Sequence, residues 1–206
     1  MLELIEGWMA APAIYAVIFV LALLDAVLPI VPSETVVIAA GVFAVSGVPA
    51  LPLVIVLAAV GAFAGDHLGY GLSRWLRRRR SHGRLARAAD RIAPHLHRRG
   101  GALIVAGRFV PGGRTAVVTA AGATGYPLAR FSGFTSVAAA LWATYSGFVG
   151  YLGGAAFESN PAMGLLAGLG IAMAVTLLGE LIRRFRPSRK PVADGLPAPQ
   201  VHELTR

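Results

Sequence analysis

The chain has 206 residues, 56% of them hydrophobic and 14% charged, with mean hydropathy +0.66 and a formal net charge of +9. No soluble domain of this size needs so much apolar surface, so the composition excludes a soluble globular enzyme and points to a single all-α integral membrane domain. With no cysteine the chain has no disulfide, thiolate metal site or thiol nucleophile.

Glu3 and Glu6 precede the first apolar stretch, where a cleaved leader would be basic, so that stretch is expected to stay as a helix. Residues 10–30 are long enough to span and carry Asp25 near their far end. Pro29 and Pro32 stop this helix, and Ser33 is placed to cap a new one over residues 33–45. That second helix is too short to cross a bilayer core of about 30 Å. Gly47-Val48-Pro49 then turns the chain into a full span over 51–75. Gly61, Gly65 and Gly69 recur at the spacing of close helix packing in lipid, and Asp66 lies on the same stretch.

Residues 84–99 are basic, with Leu85, Ala88, Ala89, Ile92 and Leu96 at helical spacing. This pattern predicts an amphipathic helix on the membrane surface, bent or ended at Pro94. A short apolar rise over 101–107 is broken by Arg108-Phe109-Val110-Pro111-Gly112-Gly113-Arg114-Thr115, and a second short helix runs from Thr115 to a turn at Gly125-Tyr126-Pro127. Residues 131–152 and 162–182 read as two further spans. From residue 187 the chain is a polar, proline-containing tail, expected to be disordered and cytoplasmic, which leaves 1–186 as the membrane domain.

The two breaks are copies of one another. Pro32-Ser33-Glu34-Thr35 matches Pro111 to Thr115 with a small slip, so that Glu34-Thr35 falls on Arg114-Thr115 and Ala39-Ala40-Gly41 on Ala120-Ala121-Gly122. Paired interrupted segments in two halves of a chain are a sequence pointer to a transporter site.

Charge fixes the expected topology. Ten of the eighteen arginines lie between Arg74 and Arg99, and a second basic block spans 183–190. Basic flanks of membrane helices face the cytoplasm, which accounts for these blocks better than nucleic-acid binding does. An even number of crossings must separate two cytoplasmic blocks. The long spans supply two, so residues 101–122 are expected to be re-entrant, and the same counting makes 33–48 re-entrant from the other face. The expected architecture is therefore four transmembrane helices, two re-entrant hairpins in an inverted repeat and a basic surface helix, with both termini cytoplasmic.

Asp25, Glu34, Asp66, Arg108 and Arg114 all lie in or beside apolar segments, where each charge costs on the order of 2.5–3.5 kcal/mol unless paired. Two guanidinium forks beside a half-helix N-terminus, at the break formed by Pro111, Gly112 and Gly113, suit a phosphate. Pro32 and Ser33 form the equivalent break ahead of Glu34. A buried acid that alternates between arginine-paired and protonated states would couple proton movement to anion release. The bland alternative is that the charges only pin the hairpins together, Glu34 pairing with Arg114. Asp66 is equally readable as a hydrogen-bonding residue at a glycine seam. His67, His82, His95 and His97 show no metal-site spacing and read as interfacial; Trp8, Trp75 and Trp142 read as belt or packing aromatics. No metal or other cofactor is expected.

The motif Gly107-Arg108-Phe109-x-Pro111-x-x-Arg114-Thr115, with Ala121-Gly122 after it, resembles the DedA family of bacterial membrane proteins, also called the SNARE-associated or VTT-domain family. Asp25-x-x-x-Pro29-x-x-Pro32-Ser33-Glu34, Ala40-Gly41, Gly65-Asp66-x-x-x-Tyr70 and Arg98-Arg99-Gly100 support the resemblance over residues 10–185. It implies two re-entrant hairpins and transport of a polyprenyl-phosphate carrier lipid back to the cytoplasmic face of the inner membrane, driven by the proton motive force. It also implies that Asp25, Glu34, Arg108 and Arg114 are the functional residues. The chain departs from the family pattern in carrying Asp25 where Glu is usual, and Val117-Val118-Thr119 where a proline often follows the Arg-Thr pair.

The leading expectation is a non-enzymatic lipid-phosphate translocase: Arg108 and Arg114 bind the headgroup, and Asp25, Glu34 and Asp66 serve protonation or gating. The same fold would also suit a phospholipid scramblase or a proton-coupled exporter of small cations. A lipid phosphatase would need a nucleophile or general acid beside the arginines, and neither hairpin holds a histidine. The expected partners are an anionic lipid and the membrane.

Overall fold

The computed structural model describes residues 12–25, 33–79, 84–110, 112–157 and the single positions Met163, Leu166, Gly170 and Met173. Trp8, Pro32, Pro111, the basic block at 183–190, the tail at 187–206 and nearly all of the span expected over 162–182 lie outside the described residues.

Among the described residues every regular element is helical. In chain order they are α1 (Ala13–Asp25), α2 (Ser33–Phe43) with a 3₁₀ turn at Ala44–Ser46, α3 (Leu51–Arg79), α4 (Arg84–Gly107), α5 (Gly113–Thr124) and α6 (Leu128–Ala156). By length and composition α3 is the one described helix long and apolar enough to cross a membrane. Its 29 residues reach about 44 Å at 1.5 Å per residue. The half-helices α2 and α5, with 11 and 12 residues, reach only about 16–18 Å by the same rise.

Small residues decide how these helices meet. The buried face of α3 runs Val54, Ala58, Gly61, Gly65, a three-to-four-residue period that presents one flat stripe to its neighbours. A Cβ on Gly61 would strike the Phe19 carbonyl oxygen, so α1 lies directly on this stripe, holding Ile14, Ile18 and Ala22 inward. The outward faces of the long helices are apolar too. Val56, Val60, Leu68 and Leu72 on α3, and Val137, Leu141, Phe148 and Leu152 on α6, are exposed large hydrophobic side chains at helical spacing. An apolar outside around a small-residue inside is the distribution that lipid, rather than water, requires.

The two halves of the chain exchange their short helices. Thr135 meets Asp66, Ser132 meets His67, and a Cβ on Gly147 would meet Ile55 and Leu51, so α3 and α6 run antiparallel. Half-helix α2 lies on α6, with Ile38 against Gly150 and Val42 against Gly154, and runs parallel to it. Half-helix α5 lies on α3, with Arg114 reaching Ala62 and Asp66 and Gly122 reaching Tyr70, again parallel. Each half-helix thus packs on the long helix of the other half, and the two half-helices point in opposite senses. The internal repeat read from sequence is an inverted repeat in space. Gly41 and Gly122, paired in that repeat, do the same work: a Cβ on Gly41 would strike the Gly147 carbonyl oxygen, and one on Gly122 the Tyr70 carbonyl oxygen.

The basic segment departs from expectation at one point. It does not bend or end at Pro94 but stays helical up to a kink at Arg99 (φ −136°, ψ 29°), beyond which the second part of α4 runs to Gly107, so the helix break falls at the expected boundary between the basic and apolar stretches. A proline removes one helix hydrogen bond without ending every helix that contains it. The bend falls instead where Gly100 and Gly101 bring the chain against the rings of Tyr126 and Phe134, contacts that leave no room for a side chain. Leu96, one turn earlier and fully buried, anchors the basic segment in an apolar cluster with Tyr70, Ile104, Val118, Tyr126 and Phe131. A second apolar cluster joins α1, α2, α3 and α6 around Ile18, Val37, Ala58 and Ala143.

Candidate functional site

The charged residues gather at the seam between the two apolar clusters. Asp66 sits near the middle of α3, between Ala62 of one cluster and Tyr70 of the other, and is 1% exposed. Its carboxylate is filled from three elements. Arg114 Nε donates to Oδ1 at 2.7 Å, Arg108 Nη1 donates to Oδ2 at 2.8 Å, and Thr135 Oγ1 donates to the same Oδ2 at 2.6 Å. Burying one carboxylate against two guanidiniums satisfies its acceptor sites and spreads the desolvation of three charges over short, charge-assisted bonds.

The break between α4 and α5 places the two arginines. Arg108 follows directly on α4, and Arg114 stands in the first turn of α5. Gly112 between them has φ 69°, a left-handed conformation that side-chain-bearing residues rarely adopt, and it lets the chain reverse within a few residues. A turn bond from Gly113 N to the Val110 carbonyl at 2.8 Å tightens the reversal.

Asp25 closes the site from the other half. Its Oδ2 accepts from Arg114 Nη1 at 2.9 Å and from Ser33 Oγ at 2.8 Å. Ser33 opens α2 and Arg114 opens α5, so the N-terminal ends of both half-helices converge on one carboxylate. The free N–H groups and positive dipole ends of two helices therefore point into a single region. The Ser33 hydroxyl, expected to serve as a helix cap, is directed to Asp25 instead.

The two arginines differ in what remains available. Arg114 uses Nε and Nη1 on carboxylates and Nη2 on the Ala62 carbonyl at 3.3 Å. Arg108 makes one protein hydrogen bond, through Nη1, although its side chain is only 3% exposed. Its Nε and Nη2 are buried with no partner among the described residues. These two nitrogens share one edge of the planar guanidinium, the edge that grips two oxygens of a carboxylate or phosphate side by side. The face of the same group lies on the indole of Trp142, 5.0 Å from the ring centroid.

The sequence expectations divide accordingly. Asp25, Asp66, Arg108, Arg114 and Ser33 come together in one network, and Gly112 and Gly113 form its turn. Glu34 does not pair with Arg114: it has no hydrogen bond or ion pair among the described residues, and Arg114 is held by Asp25 and Asp66. The physical reason is the parallel packing of α2 on α6, which carries Glu34 away from α5 and toward Tyr145 of α6, whose hydroxyl is buried with no partner among the described residues. Asp66, read from sequence as a seam residue or a gating acid, is the centre of the network. Thr135 and Trp142 were not expected to take part; their seven-residue separation, two helical turns on one face of α6, was the available signal. His67 is not simply interfacial. Its Nδ1 donates to the Phe63 carbonyl at 2.9 Å, and its Nε2 meets Ser132 Oγ at 2.8 Å. No group of three or more metal-ligating side chains occurs among the described residues.

Comparison with known proteins identifies the family. The sequence profile of the VTT domain matches residues 31–152, which hold every residue of the network except Asp25. Inner membrane protein YqjA of Escherichia coli K12 is 32% identical over 149 residues, covering 68% of this chain and 67% of that protein. YqjA of Escherichia coli O157:H7 and of Shigella flexneri match to the same extent. No solved structure matches the chain. With a family profile spanning most of the described helices and these relatives, the chain is a membrane protein of the VTT-domain (DedA) family.

Proposed function

We propose that the protein is a transporter of the bacterial inner membrane that moves a polyprenyl-phosphate carrier lipid between leaflets, returning it to the cytoplasmic face. The observation that carries this reading is the free, buried Nε/Nη2 edge of Arg108 beside the converging N-termini of α2 and α5. An anion is the ligand that such donors and two positive helix ends favour. A phosphate monoester offers paired oxygens to the guanidinium edge and one ester link to a chain that stays in lipid. The apolar outer faces of α3 and α6 give that chain a hydrocarbon surface to follow. The Escherichia coli relative is an inner membrane protein, which supports the location.

In this reading α2 and α5 are the inner arms of two re-entrant hairpins that enter from opposite membrane faces, and both chain termini are cytoplasmic. Irregular backbone at membrane depth is tolerated where it is buried in protein or lines a wet cavity, and in this reading the turn between α4 and α5, with Phe109 exposed, borders such a cavity. Asp25 and Asp66 hold the arginines when no headgroup is bound. Protonation of Asp25, the more exposed of the two, loosens its bond to Arg114 and opens the region between the half-helix ends to the incoming phosphate. No covalent bond is made or broken, so the activity is transport rather than catalysis.

The test is flip of a short-chain polyprenyl phosphate in proteoliposomes, comparing wild type, Arg108→Ala and Asp25→Asn with and without a pH gradient. Wild type is expected to move the lipid, Arg108→Ala to lose at least about tenfold in rate, the scale of one charge-assisted contact, and Asp25→Asn to lose its response to the gradient. Equal movement by folded wild type and folded Arg108→Ala contradicts the reading. The unpaired Glu34 carboxylate favours a second reading, exchange of a small cation for protons. Gradient-driven cation uptake in the same liposomes, without lipid flip, would establish that one instead.

A further inference from the structure

Trp142 stands in the apolar cluster of α1, α2, α3 and α6, 7% exposed, where a core aromatic needs no explanation beyond packing. Its position relative to Arg108 asks for more. The guanidinium of Arg108 is held on two sides: one end by the 2.8 Å bond to Asp66, and one face by the indole at 5.0 Å. A flat cation held by an anion at one end and an aromatic face beneath has a single orientation left. In that orientation the buried Nε/Nη2 edge is the part of the group that no atom of the described residues covers with a hydrogen bond. Arg114 has no such edge, because all three of its nitrogens are committed to Asp66, Asp25 and Ala62.

We infer that Trp142 is a positioning residue of the anion site: with Asp66 it fixes the Arg108 guanidinium so that this one arginine presents its side-on edge to two oxygens of a phosphate monoester, while Arg114 serves as the latch that holds the two acids. The inference rests on the transport reading above and divides the work of two arginines that the sequence motif presents as a pair. Three consequences follow from the geometry. An ammonium at position 108 keeps the charge but has no edge, so Arg108→Lys is as poor as loss of the side chain. An aromatic ring at 142 keeps the face, so Trp142→Phe retains function. The indole reports on its neighbour, because a ligand that neutralises the guanidinium above it changes the field across the ring.

The experiment uses the full chain in detergent micelles with Trp8→Phe and Trp75→Phe, which leaves Trp142 as the only indole. Its fluorescence is titrated with a short-chain prenyl phosphate and, in a separate arm, with inorganic phosphate. Binding of the radiolabelled prenyl phosphate is measured in parallel for Trp142→Leu, Trp142→Phe, Arg108→Lys and Arg114→Lys. The expected result is a saturable fluorescence change with the prenyl phosphate that Arg108→Lys abolishes. Trp142→Leu should bind about tenfold more weakly, the scale of one buried cation–π contact, and Trp142→Phe within about threefold of wild type. An equal response to inorganic phosphate assigns the site to the free ion rather than the lipid headgroup and overturns the lipid reading while keeping the positioning role. Prenyl-phosphate binding with no change in Trp142 fluorescence, or a folded Trp142→Leu that binds like wild type, overturns the positioning role and leaves the transport reading intact. Should Trp142→Leu not fold, the fluorescence titration of the intact indole still decides. No binding by wild type overturns both.

Discussion

At the scale of single residues, the molecule turns on Asp66. It accepts from Arg114, Arg108 and Thr135 within a region where it is 1% exposed, so its removal would strand the buried Arg108 and leave Arg114 with Asp25 alone. Breaking a buried pair from one side costs about 3–5 kcal/mol, because the partner charge loses its compensation. Asp66→Ala is therefore expected to lower the melting temperature in detergent far more than Asp25→Ala, whose carboxylate is the more exposed and shares only Arg114 and Ser33. Comparable stability of the two variants would contradict the central place given to Asp66. Tyr145 and Ser146 make the opposite case. Their hydroxyls are buried with no partner, and an unpartnered buried hydroxyl costs about 1–3 kcal/mol relative to one in water. Tyr145→Phe and Ser146→Ala should thus be neutral or stabilising in a thermal melt. A loss of more than about 1 kcal/mol, the net worth of an ordinary hydrogen bond, would show that these hydroxyls have partners after all.

At the scale of elements, the two half-helices explain what sequence could and could not show. The repeat of Ser33-Glu34-Thr35 and Ala40-Gly41 with Arg114-Thr115 and Ala121-Gly122 was legible because it is local: a turn, a polar first turn, then small residues that let a short helix lie on a long one. The bland alternative read from sequence, Glu34 pairing with Arg114, is not what the structure holds. An inverted repeat places matching positions on equivalent surfaces, not against one another. Arg114 looks at α3 and finds Asp66, whereas Glu34 opens the half-helix that lies on α6 and comes near Tyr145. Which acid meets which arginine depends on helix direction and register, and neither is written in the spacing of one chain segment. The glycines provide the test of this symmetry. Gly41→Ala and Gly122→Ala each drive a methyl into a carbonyl oxygen of the opposite long helix, an overpacking cost of about 1–3 kcal/mol. Gly71→Ala, on the same long helix as Tyr70 but facing open space, should be slightly stabilising through helix propensity. Thermal melts that rank the three variants alike would contradict the packing.

At the scale of the whole molecule, composition alone pointed to a membrane protein, and the basic run from Arg74 to Arg99 sets the orientation expected for it. The bend in α4 was misplaced because Pro94 is a visible signal and the Tyr126 and Phe134 rings that receive Gly100 and Gly101 are not. The proposed anion site was visible as two arginines with acids in nearby apolar segments, but the aromatic face under Arg108 was not, since Trp142 lies far along the chain in another helix. Because the chain has no native cysteine, topology is open to direct labelling. Arg78→Cys and Arg98→Cys should react with a membrane-impermeant maleimide from the cytoplasmic face only, and Val48→Cys, in the exposed turn before α3, from the opposite face only. Labelling of all three from one side would rule out two hairpins entering from opposite faces.

The central claim is that a buried guanidinium edge selects a phosphate headgroup for passage across the membrane. Its most direct measurement is headgroup-resolved flip in proteoliposomes that contain a short-chain polyprenyl phosphate, phosphatidylcholine and phosphatidylglycerol together, with wild type and Arg108→Lys compared at equal folded protein. The account predicts that wild type moves the phosphate monoester alone and that Arg108→Lys moves none of the three. Movement of all three lipids at similar rates by both proteins would contradict it.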